Sequence, residues 1–191
     1  MNKIYKNKKV INLIDNKDNL NYALDNEMLV VNLFNKNSQS INIDFSQSED
    51  SYLVINYSML TNENVDINIK GNITGNNNKC VINVRCLSID KHTNINVNVK
   101  ANEKTIGNEI IEDLKGINEE GTVCFMPILE VDTHEVDAQH FATIGNFDKN
   151  QLFYLESLGL SEKTSKDLLK KSFIYNLFNE EFLNLIEDRK E

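Results

Sequence analysis

The sequence predicts a mainly β fold, either a β-solenoid or a β-sandwich, followed by a C-terminal α-helical segment. Three observations lead to this prediction. Apolar and polar residues alternate from Met28 to Lys100, turn-rich stretches separate the alternating segments, and the periodicity becomes helical after Gly145. Alternation with a period of two is typical of strands that bury one face.

The strands are predicted from five short segments with Ile, Val, Phe or Tyr on one side and mainly Asn, Asp or Ser on the other. No helix-length pattern lies between them, which excludes βαβ units. Asn-Gly and Asp-Gly hairpin signatures are absent from this region, and outward-facing asparagines such as Asn68, Asn83 and Asn96 are suited to stacked ladders, so the solenoid is favoured over the sandwich. The segments are residues 41–45, 52–57, 65–70, 80–89 and 95–100.

Three amphipathic helices are predicted after Gly145. Asp148 is the expected N-cap of the first helix and Gly159 its C-cap, and Ser161 is the expected N-cap of the second, which should bury Leu168 and Leu169. The helices either cap the end of the strand domain or form a docking site for another protein, and the two readings are compatible. Apolar residues at helical spacing in the first and third helices are Leu152, Phe153, Leu155, Leu158, Leu177, Phe178, Phe182, Leu185 and Ile186.

These patterns divide the 191 residues into an N-terminal segment (1–27), a β-helix core (28–145) and a C-terminal helical subdomain (146–191). The boundaries follow the first sustained alternation and the change of periodicity at Gly145.

Composition limits the classes of function. The formal net charge is −9 and the sequence pI is about 4.9, so a phosphate backbone would be repelled and nucleic acid is not expected as a partner. No apolar run is long enough to span a membrane, and no signal peptide is recognised, so we expect a cytoplasmic protein. Three cysteines without CxxC spacing make a disulfide framework or a structural zinc site improbable.

Four short motifs after the strand ladder carry a family resemblance. In this order and spacing they resemble the C-terminal signature of the SufB/SufD family, the scaffold subunits of the SUF iron–sulfur cluster assembly system. The motifs are PILEV (Pro127 to Val131), HFATIG (His140 to Gly145), QLFYL (Gln151 to Leu155) and SLGL (Ser157 to Leu160).

The resemblance implies a right-handed parallel β-helix without enzymatic activity of its own. It implies binding of a SufC-like ABC ATPase through the helical segment, and a homodimer or a heterodimer with a SufB-like scaffold. It also implies a transient iron–sulfur cluster at the subunit interface and no permanently bound cofactor. The candidate partner-binding residues are Leu152, Phe153, Tyr154, Leu155, Leu168 and Leu169.

His140 corresponds to the family histidine that is implicated in cluster formation. It is therefore the candidate cluster and metal ligand, because neutral imidazole binds iron, although it is also compatible with a histidine hydrogen-bonded in a turn or core. Cys124 is a candidate thiolate partner, with a buried structural cysteine as the alternative. Cys80 and Cys86 are expected to fill the core, and the acidic stretch around His134 is expected to be a solvated surface.

The chain departs from the family pattern at several positions. Gln139 and Phe141 replace the carboxylates that flank the histidine in the B-type scaffold, Leu158 replaces an arginine, and no cysteine occurs near Glu112, where the family's interface cysteine would fall. We therefore expect a reduced, SufD-like member. The alternatives are a structural or regulatory β-helix protein without a cluster role and, with less support, a carbohydrate-active β-helix.

Overall fold

The structure is a computed structural model that describes residues 4–36 and 40–188. The ends of the segments 1–27 and 146–191 therefore lie partly outside the described residues. Within those ranges eleven strands form two sheets. The six-stranded sheet contains, in spatial order, β1 (Asn7–Ile14), β3 (Glu27–Asn35), β5 (Tyr52–Thr61), β7 (Lys79–Ile89), β9 (Asn108–Glu119) and β11 (Val136–Gly145). The five-stranded sheet contains β10 (Thr122–Val131), β8 (His92–Ala101), β6 (Val65–Ile73), β4 (Ile41–Gln47) and β2 (Leu20–Leu24).

The chain winds as a coil that adds one strand to each sheet in every turn. Neighbouring strands in each sheet are two apart in sequence, and every pairing between the named strands is parallel. Antiparallel hairpins, which a sandwich would need, do not connect these strands. The parallel β-helix prediction is therefore confirmed.

The interior of the coil is a stack of aliphatic side chains from alternate positions of both sheets. Ile43, Ile67, Ile55 and Ile82 have no solvent exposure, and Cys80 and Cys86 lie in the same core, as the sequence predicts. Burial of this apolar surface is the main contribution to stability.

Gly71 shows how closely the turns fit. It is the register partner of Phe45, and a Cβ at Gly71 would lie 2.1 Å from the Phe45 ring. A side chain at position 71 is therefore excluded as long as the ring keeps its place.

Asparagine ladders run along the outside of the coil. Asn32 donates to Asn12, Asn56 to Asn32 and Asn83 to Asn56, each at 2.9 Å. These partners are 20, 24 and 27 residues apart, so the turns lengthen along the chain. The predicted ladders are thus present, with Asn83 in the six-stranded sheet. In the five-stranded sheet the amides of Asn96, Asn68 and Asn42 form a second ladder.

The sheets extend into the segment 1–27, which the sequence pattern places before the core. β1 pairs with β3 and β2 pairs with β4, both in parallel. β1 is an edge strand with its residues exposed or half-buried, so its sequence has little of the alternation that marks the inner strands.

The three helices are α1 (Lys149–Ser157), α2 (Glu162–Tyr175) and α3 (Glu180–Asp188). The side chains of Asp148 and Ser161 accept hydrogen bonds from the first turns of α1 and α2, so the two N-cap predictions are confirmed. The C-cap of α1 is Leu158, and the predicted residue, Gly159, follows it with φ of 89°. No helix in the described part of the chain has the length and apolar character needed to cross a bilayer.

The helices pack against the outer face of the six-stranded sheet, and not on the end of the coil. A second apolar cluster joins Ile174, Phe178 and Phe182 to Phe34 and Leu87 of the sheet. The prediction that α2 buries Leu168 and Leu169 is wrong, because the buried residues of α2 are Ser165 and Ile174. Leu168 is 44% exposed and Leu169 is half-buried.

Ser58 and Lys170 fix α2 against the sheet. The Ser58 hydroxyl donates to the carbonyl oxygen of Ile174 at 2.6 Å, and the Lys170 ammonium lies 2.6 Å from the Glu119 carboxylate. α2 is thereby held across the strands. We expect from the sequence that the helices cap the end of the coil. In the structure they pack on the side of the coil instead, because the apolar outer residues of the sheet that the helices cover lie on that side.

Candidate functional site

Strands β10 and β11 form one end of the coil, which we call the open end. They are the edge strands of their sheets, so on one side each presents backbone N–H and C=O groups that no other described strand pairs. Pro127 lies in β10, where an edge position tolerates the missing N–H. The large apolar residues exposed on these two strands are Met126, Ile128, Phe141 and Ile144. The open end is therefore suited to pairing with another protein.

His140 lies near the middle of β11 and is exposed. It shares its side of the strand with Val136 and Ala138, which pack against the main core. The imidazole is therefore placed on the interior side of the last turn, at the surface of the open end.

Glu112 is the register partner of His140 in the adjacent strand β9. Its side chain is completely buried, and neither carboxylate oxygen has a hydrogen-bond partner. Burial raises the pKa of this carboxyl group to about 8. Burial raises the pKa of the Cys80 thiol, and the nearby Glu112 charge raises it further.

Cys124 is exposed and lies on the outer side of β10, in the other sheet. Its register partner is Asn94, which also belongs to the outer side of its strand. The predicted partners His140 and Cys124 are therefore on different sheets and on different sides of them, and they do not converge in one chain. The alternative of a buried structural cysteine does not apply at Cys124 either.

The donor set of one chain does not fit an iron–sulfur cluster. Among residues 4–36 and 40–188 no three His, Cys, Asp or Glu side chains are grouped as metal ligands. The acidic stretch around His134 is exposed, with Asp132 bound to Lys100 at 3.2 Å. Thiolates are the usual ligands of such clusters, and the open end offers an imidazole above a buried carboxyl.

The exposed face of the helical segment is the second candidate site. Phe153 is 72% exposed, and Tyr154 and Leu158 are each 63% exposed. Leu155 and Leu169 are half-buried and line a cavity of about 380 Å³ between α1 and α2. Leu152 is also half-buried. We call Phe153, Tyr154, Leu158 and Leu168 the helical face.

Glu112 is the site residue that the sequence did not identify as functional. It interrupts an inward-facing series that continues with Ile110 and Leu114, both completely buried. A charged residue at an apolar position of a strand is the signal that could have identified it, but β9 itself was not among the predicted strands.

Comparisons with known proteins match this architecture. The family model for the SUF system FeS cluster assembly, SufBD core domain, matches residues 37–173, from just before β4 into α2. An iron–sulfur cluster assembly SufBD family protein of Mycobacterium leprae (strain TN) is 35% identical over 65 residues. This match covers 34% of the chain and 17% of the length of that relative.

Proposed function

The chain belongs to the SufBD core-domain family of SUF iron–sulfur cluster assembly, and we propose that it serves there as a scaffold or accessory subunit. In this role it binds a SufC-like ABC ATPase and does not itself catalyse a reaction. The observation that carries the proposal is that one chain exposes large apolar side chains both at the open end of the coil and on the helical face.

The helical face is the proposed docking surface for the ATPase. Exposed aromatic side chains such as Phe153 and Tyr154 bury large areas on association and dominate many protein interfaces. Tyr154, Leu155 and Leu169 line the cavity between α1 and α2, which gives a side chain of the partner a place to insert. The four residues of the helical face are not part of the apolar cluster that attaches α2 and α3 to the sheet.

The open end is the proposed contact with a second scaffold subunit, either another copy of this chain or a SufB-like protein. Unpaired edge strands extend readily by pairing with a strand of another chain. Phe141 and Ile144 add apolar surface beside those edges. A cluster would be cargo of the paired subunits, since no group of three ligand side chains forms among the described residues of one chain.

Co-purification with a SufC-like ATPase from the same genome tests the proposed function. We expect the wild-type chain to retain the ATPase and Phe153→Asp to lose it, because a carboxylate at the centre of an apolar contact costs several kcal/mol of desolvation. Leu185→Asp is the matched control, since Leu185 is 44% exposed on α3 and lies outside the helical face.

Two results would contradict the assignment. A folded wild-type chain that retains no ATPase excludes the docking role. If Phe153→Asp still retains the ATPase and Leu185→Asp does not, the docking surface lies on α3.

A structural or regulatory subunit without a cluster role is the second candidate function. It is favoured by Cys124, the exposed cysteine of the described residues, which lies on the side away from His140. Anaerobic reconstitution with iron and sulfide in the presence of the ATPase separates the two functions. Equal spectra and equal cluster transfer for the wild type and His140→Ala favour the structural role.

A further inference from the structure

Strands β1 and β2 form the other end of the coil, which we call the N-terminal end. They are the edge strands opposite β11 and β10 in the two sheets. The backbone N–H of Asp15 donates to the carbonyl oxygen of Phe34 in β3. Because alternate residues of a strand direct their backbone groups to the same side, the N–H and C=O groups of Lys8, Val10 and Asn12 face away from β3. No described strand pairs with that side of β1.

Both asparagine ladders end here in the same way. Asn32 donates to Asn12 at 2.9 Å, and Asn42 donates to Asn19 at 3.2 Å. Each terminal asparagine therefore uses its side-chain oxygen as an acceptor, and no described residue accepts a hydrogen bond from its N–H₂ group. A further strand that continued a ladder would have to supply an oxygen acceptor at this position, as Asp and Asn do.

The charge of the N-terminal end is opposite to that of the chain. β1 and β2 contain no acidic residue, and their charged residues are Lys8 and Lys9, in a chain with a net charge of −9. Both lysines are exposed. Lys6 is bound to Asp25 at 3.4 Å, whereas no described acidic side chain is paired with Lys8 or Lys9. Two such edges would repel each other, so the N-terminal end favours an acidic partner over a second copy of the chain.

The interior of the first turn is incompletely covered. A cavity of about 480 Å³ lies between β1, β2 and β3, and its apolar lining includes Ile11, Tyr22, Leu24 and Leu29. Ile11 and Tyr22 pack against the main core and are only half-buried, whereas the inward aliphatic residues of the inner turns are completely buried. Apolar side chains of an added strand would therefore gain burial here.

We propose that the N-terminal end binds an extended acidic segment of a partner protein, which adds to β1 as a further strand in the orientation of β3. The segment has apolar residues at alternate positions, which cover the cavity, and Asp, Glu or Asn between them. Its acidic side chains lie beside Lys8, and an Asp or Asn accepts from the Asn12 amide. Strand addition of this kind combines main-chain hydrogen bonds with side-chain selection. The surface is at the end of the coil opposite the open end, so the inference does not rest on the proposed function.

Fluorescence anisotropy with labelled peptides at low ionic strength tests the inference. The acidic probe has the sequence of β3 with Met28→Asp and Val30→Asp, because these outward positions lie opposite Lys8 and Val10 in the register of β1 with β3. The basic probe carries Met28→Lys and Val30→Lys in the same sequence. We expect the wild-type chain to bind the acidic probe about tenfold or more tightly than the basic one.

Two variants test the charge and the backbone separately. Lys8→Glu/Lys9→Glu should bind the acidic probe about tenfold or more weakly, and Lys91→Glu/Lys163→Glu is the matched control, because it makes the same change of charge at exposed lysines elsewhere. Val10→Pro removes an N–H that faces away from β3, so the fold should tolerate it as an edge position, while strand addition loses a main-chain hydrogen bond and weakens.

Several outcomes would overturn the inference. They are a wild-type chain that does not bind the acidic probe, equal affinity for the two probes, and unchanged affinity in folded Lys8→Glu/Lys9→Glu. If that variant does not fold, unchanged affinity in Val10→Pro has the same meaning. A lower mass of Val10→Pro than of the wild type in light scattering would assign the surface to a second copy and so overturn the acidic partner.

Discussion

The Glu112 carboxyl group faces the interior between Ile82 of β7 and His140 of β11, and the titratable side chains nearest to it in register are His140 and Cys80. Burial without a hydrogen-bond partner favours the neutral acid over the carboxylate, which is why the pKa is about 8. The unfolded chain has the ordinary value near 4.5. Between these two pH values Glu112 is protonated in the folded protein and ionised in the unfolded chain, so unfolding releases a proton.

We expect the free energy of unfolding to fall as the pH rises from about 5 to 8. The contribution of neutral Glu112 is fully present below the unfolded pKa and is lost as the pH passes the folded pKa, by about 1.4 kcal/mol for each unit of pKa difference. Urea denaturation of the wild type and Glu112→Gln measures this contribution, because the amide does not titrate.

Glu103→Gln is the control for general effects of charge, since Glu103 is exposed in a turn. Its pH profile should be parallel to that of the wild type. A Glu112→Gln profile that is also parallel to the wild type would mean that the Glu112 pKa does not change on folding.

Single residues show what the sequence can and cannot predict about the site. His140 was identified because its neighbours form a motif, and its placement near the middle of an exposed edge strand agrees with an interface role. Whether His140 and Cys124 lie together could not be predicted from the sequence, because the winding of the coil decides to which sheet, and to which side of that sheet, each residue belongs. Glu112 was missed because its partner is 28 residues away, a register that only the folded coil defines.

At the scale of elements, the asparagine ladders link successive strands by side-chain amides. Asn56 donates to Asn32 and accepts from Asn83, so it has a partner in the turn on each side. The side chains of Asn32, Asn56 and Asn83 are buried or half-buried, so water has limited access to them and does not readily replace a hydrogen bond that is lost.

We expect Asn56→Ala to lower the free energy of unfolding by about 1–2 kcal/mol, because two hydrogen bonds are lost and the neighbouring amides lose partners. Urea denaturation monitored by circular dichroism measures the change. Asn62→Ala is the control, since Asn62 is exposed beside a turn, and it should change stability by no more than about 0.5 kcal/mol. Equal effects of the two substitutions would show that the ladder does not stabilise the coil.

The inner strands β4 to β8 could be predicted from alternation because both of their neighbours are strands and one side is fully buried. β9 could not, since Ile110 and Ile111 are adjacent and Glu112 occupies an inward position. β1 and β2 could not either, because edge strands bury less and show a weaker pattern. In α2 the choice of buried residues failed, as the helix buries Ser165 and Ile174 where the hydrophobic pattern favours Leu168 and Leu169.

At the scale of the whole molecule, the open end is the surface through which we propose that the chain associates. We expect the wild type to form a dimer through β11 and Ile144→Lys to be monomeric, because a lysine on an edge strand opposes pairing with another strand. Light scattering after size-exclusion chromatography measures the mass. Ile106→Lys is the control, since Ile106 is 54% exposed in the turn before β9, and it should remain dimeric.

A wild-type chain that stays monomeric throughout the accessible concentration range contradicts the homodimer. Pairing with a longer SufB-like scaffold would then be the form to examine, with Ile144→Lys tested for loss of that complex. A dimer that persists in Ile144→Lys places the contact elsewhere on the molecule.

The family and the coil could be inferred from sequence, but the position of the helices could not. Amphipathic periodicity shows that a helix has a buried face, and it does not show which surface covers that face. Phe34, Leu87 and Ile117 are outer residues of the sheet that complete the cluster, and they come from three separate turns of the coil. These three residues are brought together by the register between the turns of the coil.

This attachment across strands has a mechanical consequence. α2 and α3 are anchored to β3, β7 and β9 through Phe34, Leu87 and Ile117, with Ser58 of β5 bonded to α2. A pull on the helices is therefore shared by four strands and loads their backbone ladders in parallel. We therefore expect a displacement of the helices to move several turns of the coil together and not to be absorbed by fraying of a single strand.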